Sequence, residues 1–230
     1  MAGGRSSTLS EVLAGMAAGM SSCVDEESAA WIAVARAEEA LPGWAAAVAL
    51  VRRRRPVHAA CNPSLRPIEQ SQLEAGQGPL IDAAETGQVA QCADLAVSTA
   101  WPDWTPAASR SGWRSILCLP LLGRGGRRTA AVVTFAHPRP DQLDDGTKTV
   151  AELVATYAAI GLETVGRLAN LTVAGDSQAS IGLAIGVLME RFELSEAQAF
   201  AVLRRYSQDR QRKLREVATD LLNTGQLPPD

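Results

Sequence analysis

The alternation of apolar and polar residues is most regular between Asp176 and Pro228, where it predicts three short amphipathic helices. The apolar positions recur at spacings of three and four residues, which is the period of one helix face. They are Ile181, Ala184, Ile185, Leu188 and Phe192 in the first helix, Phe200, Leu203 and Tyr206 in the second, and Leu214, Val217, Ala218, Leu221 and Leu222 in the third. Ser195, with Gln198 three residues later, predicts a capping box at the start of the second helix. We therefore expect a small three-helix bundle, because each helix must bury its apolar face against another.

The preceding residues combine helix-like segments with short apolar runs of strand length. After a leader of about eight residues, helices are predicted over residues 9–20, 28–40 and 79–86. Strands are predicted over residues 44–51, 57–61, 89–93, 115–122 and 129–136, with turns at 52–55 and 123–128. This mixture predicts an α+β fold, in which helices pack on an antiparallel sheet.

A long helical segment is predicted from about residue 144 to about residue 173. Its narrow apolar stripe is spaced nearly as in a coiled coil and consists of Val154, Tyr157, Gly161, Val165 and Leu168. We expect the first half of this helix to pack on its own domain and the second half to pair with another subunit; packing of the whole helix on its own sheet is the alternative. Residues 173–177 are expected to break or kink it. The predicted organisation is a leader and helix (1–24), an α+β domain (25–143), a connector or coiled-coil helix (144–174) and a helical bundle (175–230).

The composition of the chain bears on its solubility, its mode of nucleic-acid binding and its cellular compartment. Apolar residues make up 47% of the chain and charged residues 20%, values typical of a soluble globular protein. The formal net charge of −3 argues against nucleic-acid binding by bulk charge, so any RNA contact requires a local basic cluster. The apolar-rich region 29–51 is interrupted by charges and Pro42, and the first residues lack the apolar core of a secretory signal. Four cysteines without CxxC spacing predict free thiols, so we expect a cytoplasmic protein without membrane contact.

Candidate catalytic and metal-binding residues are sparse. Neither His58 nor His137 has a metal-ligand neighbour at helix spacing, and both are interpreted as surface or turn residues. The glycine-rich segment 123–126 lacks the lysine and hydroxyl of a phosphate-binding loop. The sequence therefore predicts no enzyme, no metal site and no cofactor.

Three tryptophans, Trp101, Trp104 and Trp113, fall within one segment of a chain that is only 4% aromatic. They predict either the lining of a sensory pocket or part of a domain core, and we favour the core.

The strongest functional signal is a basic cluster near the end of the second predicted helix and the start of the third. It combines cations with hydrogen-bonding side chains, and its members are Arg204, Arg205, Ser207, Gln208, Arg210, Gln211, Arg212, Lys213 and Arg215. Such a set suits loop RNA, because cations hold phosphates while polar and planar side chains meet unstacked bases. The alternative is a solvated helix end, where cations are favoured by the helix dipole.

Residues 181–222, IGLAIGVLMERFELSEAQAFAVLRRYSQDRQRKLREVATDLL, resemble the ANTAR domain, an RNA-binding module of bacterial transcription antiterminators. The matching positions span all three helices: Ala184, Gly186, Leu188, Met189, Ala199, Phe200, Leu203, Ser207, Leu214, Val217 and Ala218. The segments GQGPLIDA, WPDW and SILCLPLLGRGGRRTAAVVTFAHP resemble the GAF domain, a small-molecule sensing module often found before ANTAR domains. The two resemblances imply a homodimeric antitermination regulator that binds paired RNA hairpin loops and senses an unidentified ligand.

The chain departs from the ANTAR pattern at three positions. Ile185 stands where the family usually has lysine, Gln178 where arginine is common, and Gln211 where asparagine is expected. With two cations fewer, the domain can neutralise fewer phosphates. A DNA-binding regulator, or a protein-interaction module that has lost RNA binding, therefore remains as an alternative with the same architecture.

Overall fold

The computed structural model of the chain describes residues 8–53, 55–123 and 129–226. Its helices are α1 (Leu9–Ser21), α2 (Glu26–Ala40), α3 (Arg66–Ala75), α4 (Pro79–Thr86), α5 (Thr105–Arg110), α6 (Asp145–Phe192), α7 (Glu196–Asp209) and α8 (Leu214–Thr224). Its strands are β1 (Ala45–Arg52), β2 (Arg55–Cys61), β3 (Ala90–Cys92), β4 (Ser115–Leu122) and β5 (Thr129–His137). Most of the predicted leader, parts of both predicted turns and Pro228 lie outside the described residues. The chain divides into two compact units, Met1–Arg167 and Leu168–Asp230.

The first unit is built on an antiparallel sheet with the strand order β2-β1-β5-β4-β3. The long central strands β1 and β5 pair over Ala45–Leu50 and Ala131–Ala136. Strand β1 begins with five apolar residues, AAAVA, that are buried on both faces of the sheet. The predicted strands and the α+β class are therefore confirmed.

Helices cover both faces of this sheet. On one face α1, α2 and the first half of α6 enclose a core that contains Met16, Val154 and Phe135. On the other face α3, α4 and α5 enclose a second core, which contains Ile68, Leu80 and Trp104. Helix α3 was not predicted, because two of the three residues on its buried face, Glu69 and Gln72, are polar.

Helix α6 differs from the prediction in two respects. It continues through residues 173–177, so the predicted break is wrong; Gly175 alone costs a helix only about 1 kcal/mol, and no proline is present. Val154 in the first half of the helix is buried in the first core, as expected, but Val165 in the half predicted to pair with another subunit is buried there too, and Gly161 adjoins Met20. The apolar residues that α6 exposes in the first unit are Leu153, Tyr157 and Ile160. By length and composition alone α6 could cross a membrane, but its first half lies in the sheet domain's core.

The second unit contains the predicted bundle. Its core is formed by Ala184, Leu188, Ala199, Leu203, Val217, Ala218 and Leu221. The predicted capping box is confirmed, since Ser195 and Gln198 bond each other's backbone N–H groups at the start of α7. Three predicted core residues are exposed instead: Phe192 at 54%, Phe200 at 41% and Leu222 at 36%. Phe192 lies at the last residue of α6, where its ring meets the guanidinium of Arg191.

Candidate functional site

The candidate nucleic-acid interface is the turn between α7 and α8, together with the adjoining helix ends. Helix α7 ends at Asp209 with Arg210 as its C-cap residue, and Gln211 adopts the left-handed backbone conformation, with φ of 50°. Asparagine tolerates this conformation better than most residues, which explains why an asparagine is expected at this turn. The chain then enters α8 with Lys213 at the position that caps its first turn.

Ser207 and Arg212 hold this turn in shape. The Ser207 hydroxyl donates a hydrogen bond to the Arg212 carbonyl oxygen at 2.6 Å, and the Arg212 N–H donates to the Ser207 carbonyl oxygen at 3.0 Å. Ser207 thus spans the turn through both its hydroxyl and its carbonyl. Its hydroxyl proton is committed to the protein, so its role here is to position the turn.

Arg212 is half-buried and paired with acidic residues of α8. Its Nη1 lies 2.6 Å from Asp220 Oδ2, and its Nε lies 3.7 Å from Glu216 Oε2. The hydrogen bond that Arg212 donates to the Asp220 carboxylate raises the pKa of the Arg212 guanidinium. With two carboxylates beside it, Arg212 is less available to a phosphate than the exposed cations of the cluster.

The other cations of the cluster are exposed to solvent. They are Arg204, Arg205, Arg210, Lys213 and Arg215. Arg205 has Asp209 one helical turn away, with its Nε 3.5 Å from Asp209 Oδ2, and such an exposed pair is weak. Gln208 and Gln211 are exposed between these cations. The predicted residues thus lie along the last turns of α7, in the α7–α8 turn and at the start of α8, and every cation among them except Arg212 is exposed.

A groove of about 350 Å³ adjoins this surface in the second unit. It is lined from α6 by Asp176, Ser177 and Ser180, and from the α8 side by residues that include Arg212 and Arg215. Hydroxyl, carboxylate and guanidinium groups therefore meet in one concavity next to the turn.

Two departures from the ANTAR pattern have different surroundings. Ile185 is half-buried and packs against the bundle core. A lysine at this position would have the base of its side chain in that apolar contact. Gln178 is exposed on α6 and changes only the surface.

The three tryptophans belong to the second core of the sheet domain. Trp104 is fully buried and its indole N–H donates to Ser71 Oγ at 2.8 Å. Trp101 meets Trp104 edge to face, with ring centroids 5.9 Å apart, and donates to Asp82 Oδ2 at 2.7 Å. Trp113 donates to the Ser64 carbonyl oxygen at 3.2 Å. Each indole N–H is therefore hydrogen-bonded within the protein, which agrees with the interpretation of the three tryptophans as part of a domain core.

Sequence reasoning missed a buried polar cluster beneath α3. Glu69 is fully buried, and His58 on β2 has both ring nitrogens buried, although it was interpreted as a surface or turn residue. Gln72 Nε2 donates to Glu69 Oε1 at 3.2 Å, and Thr134 on β5 also bonds the carboxyl group. The available signal was Glu69 and Gln72 at helix spacing with Ile68 and Leu73, which marks one face of a helix.

The two buried thiols of this unit, those of Cys61 and Cys118, are poor nucleophiles. Burial raises the pKa of Cys61 to about 12 and raises that of Cys118 as well, so neither side chain is a thiolate near neutral pH. His137 is buried against Trp44, and its Nδ1 accepts a hydrogen bond from the Arg139 N–H. Among the described residues, no group of three or more His, Cys, Asp or Glu side chains is arranged to hold a metal ion.

Comparison with protein families gave two matches. Residues 23–163 match the model of the GAF domain, and residues 169–222 match the model of the ANTAR domain. The search of curated proteins found no match.

Comparison with solved structures gave matches to the sheet domain. The GAF domain of a phosphoenolpyruvate-protein phosphotransferase from Coxiella burnetii is 14% identical, with a TM-score of 0.53 over 71% of this chain and 97% of that one. The corresponding domain from Acinetobacter is 12% identical, with a TM-score of 0.51 over 70% and 97%. Free methionine-R-sulfoxide reductase from Neisseria meningitidis is 21% identical, with a TM-score of 0.52 over 75% and 96%. At these identities the similarity establishes the fold alone.

Proposed function

Because the chain belongs to the GAF domain family and carries an ANTAR domain at residues 169–222, we propose that it is a signal-responsive, non-enzymatic regulator of transcription antitermination. GAF domains are sensor modules and ANTAR domains are RNA-binding modules. In this proposal residues 25–143 sense the signal, residues 144–174 connect, and residues 175–230 bind hairpin loops of a nascent transcript in the cytoplasm. Holding those hairpins prevents formation of a terminator.

The observation that supports RNA binding is the exposed cationic surface at the α7–α8 turn. In a chain of net charge −3, five exposed cations fall between residues 204 and 215 of the bundle: Arg204, Arg205, Arg210, Lys213 and Arg215. Exposed cations bind phosphates, and Gln208 and Gln211 between them offer amide donors and acceptors to unstacked bases. This combination fits a single-stranded loop better than a regular duplex.

We further propose that the protein acts as a homodimer that engages two hairpins at once. Leu153, Tyr157 and Ile160 follow one another on α6 at spacings of four and three residues and are exposed in the first unit. A second copy of the chain would cover them from solvent. Two weak RNA sites joined in one dimer gain a high effective concentration for the second hairpin.

A salt titration of RNA affinity tests this proposal. Purified full-length protein is titrated with a two-hairpin RNA and with a loop-scrambled control at several salt concentrations. The double variant Lys213→Ala/Arg215→Ala should bind more weakly, and its salt slope should fall by roughly 0.7–0.9 for each phosphate that the variant no longer neutralises. Arg110→Ala/Arg139→Ala, in the sheet domain, removes the same charge elsewhere and serves as the control.

The control pair should leave both the affinity and the salt slope nearly unchanged. Equal losses in the two double variants would mean that only net charge matters, which contradicts a specific surface. Absent or loop-independent binding by the folded wild type would contradict RNA recognition and favour a protein partner.

A further inference from the structure

The sheet domain contains two facing titratable side chains with unsatisfied polar atoms. Glu69 Oε2 and His58 Nδ1 lie 3.8 Å apart, which is longer than a hydrogen bond. Among the described residues, neither Oε2 of Glu69 nor either ring nitrogen of His58 has a hydrogen-bond partner, and all three atoms are buried. Buried polar atoms are nearly always bonded, so each exception requires an explanation.

The surroundings of the pair leave the Glu69 carboxylate without a permanent counter-charge. Within the described residues, His58 is its only ion-pair partner, and it is a cation only when protonated. Arg66 on α3 acts on His58, and the Glu69 carboxylate acts on the thiols of Cys61 on β2 and Cys118 on β4. Those thiols are also influenced by Glu38 on α2 and Asp82 on α4 respectively. None of them forms an ion pair with Glu69 in the described part of the chain.

We propose that Glu69 and His58 form a proton-binding site, through which the sensor domain responds to pH. The sensing role rests on the proposed function, whereas the proton site rests on the geometry of the pair. Uptake or release of one proton changes which of the three unsatisfied atoms are donors and which are acceptors. A proton shared between carboxylate and imidazole converts two unsatisfied groups into a bonded pair after a small side-chain rotation.

The protonation behaviour of both groups agrees with this role. Burial raises the pKa of Glu69 to about 7, against the hydrogen bonds from Thr134 and Gln72, which favour the charged form. Burial, followed by the charge of Arg66, lowers the pKa of His58. Glu69 therefore changes charge in the neutral range, where an ordinary glutamate remains ionised.

A chain of hydrogen bonds connects this site to the start of α4. Gln72 donates to Glu69 through Nε2 and accepts from the Leu80 N–H through Oε1 at 2.8 Å. Gly78 fits closely beside that amide, because a Cβ there would lie 2.4 Å from Gln72 Oε1. A change of charge on Glu69 therefore alters the acceptor that holds Gln72, and Gln72 in turn holds the first turn of α4.

The experiment is an NMR titration of the full-length protein between pH 5.5 and 8.5, with ¹³C-labelled glutamate carboxyl groups and histidine rings. In the wild type, one glutamate carboxyl resonance should titrate near pH 7, and the His58 ring resonances should shift over the same range. Glu69→Gln should remove the glutamate step and the coupled His58 shift. Glu74→Gln, on the exposed side of the same helix, should retain both.

Titration of every glutamate in the wild type below pH 5.5 would overturn the proposal without any variant, so a folding defect in Glu69→Gln cannot leave it undecided. A neutral step that persists in Glu69→Gln would also overturn it. The variant His58→Gln adds a second check, because it should displace the pH of the Glu69 step. The NMR titration measures proton binding and does not depend on RNA. Failure of the proton-site proposal is therefore distinguished from failure of the proposed RNA-binding function.

Discussion

The bundle of the second unit has so few large side chains that one of them should decide its stability. Of its seven buried core residues, three are alanines, and most of the volume comes from Leu188, Leu203 and Leu221. Leu188 is fully buried, and Leu→Ala at such sites costs about 2–5 kcal/mol because a cavity remains. At roughly 0.05–0.15 kcal/mol per residue, a unit spanning Leu168–Asp230 is stable by only about 3–9 kcal/mol. Leu188→Ala should therefore remove about half of the bundle's free energy of unfolding.

The distribution of aromatic residues makes this measurable in the full-length chain. All five tryptophans, Trp31, Trp44, Trp101, Trp104 and Trp113, precede the second unit, so tryptophan fluorescence follows the sheet domain alone. Far-UV circular dichroism follows all helices. In urea, the Leu188→Ala variant should lose part of its circular dichroism about 1–3 M earlier than the wild type, with its fluorescence transition unchanged.

The matched control is Leu183→Ala on the same helix, where the side chain is 64% exposed and truncation should change stability by less than about 0.5 kcal/mol. Equal effects of the two substitutions would show that Leu188 is not the core residue that the packing indicates. A fluorescence transition that moves together with the circular dichroism of Leu188→Ala would contradict independent unfolding of the two units.

Three further predictions concern other sites. Because burial raises the pKa of Glu69 from 4.5 to about 7, its stabilising contribution is complete below pH 4.5 and is lost as the pH rises through 7. Between pH 4.5 and pH 8, the free energy of unfolding of the wild-type sheet domain should therefore fall by about 3 kcal/mol relative to that of Glu69→Gln, as measured by urea titrations followed by tryptophan fluorescence. If the unfolding free energies of the two proteins changed equally with pH, the raised pKa of Glu69 would be refuted. Ile160→Asp should reduce the molar mass measured by light scattering from that of the proposed dimer to that of a monomer, whereas the same result from a surface change such as Glu74→Gln would implicate general destabilisation. Arg212→Ala should speed hydrogen exchange of the Gln211 and Lys213 amides, since the ion pair to Asp220 is removed; unchanged exchange would mean that Ser207 alone holds the turn.

The elements that sequence reasoning identified are those whose buried face is apolar. Helix α4 and strand β4 have the predicted bounds because Pro79 starts the helix and an unbroken apolar run forms the strand. Helix α3 was not predicted because Glu69 and Gln72 occupy buried positions on it. Polar residues are normally assigned to the solvent-facing side of a helix, so the apolar periodicity of this segment was too weak to recognise. Conflicts between local pattern and fold are expected where a site has another role.

The sequence predicts which residues make up the candidate RNA-binding surface, but not which of them are paired with other side chains. Arg204, Lys213 and Arg215 are exposed as cations at helix ends usually are, and the sequence alone indicates this. The ion pair of Arg212 with Asp220 depends on how a residue of the α7–α8 linker folds back along α8, which the helical periodicity of the sequence does not specify. The predicted seam of α6 mixes two environments for a similar reason: Val154 is buried and Tyr157 is exposed, a difference that only the packing of the sheet domain defines.

The way in which Ser207 and Arg212 fasten the α7–α8 turn has a consequence for the entropy of association. A cationic loop that is ordered only on binding loses conformational freedom at that moment, which subtracts from its affinity. Here the turn is already fixed by two Ser207–Arg212 hydrogen bonds and an ion pair before any partner arrives. The ordering cost of complex formation then falls mainly on the partner, so a partner whose own loop is already rigid should bind more tightly than a flexible strand of the same sequence.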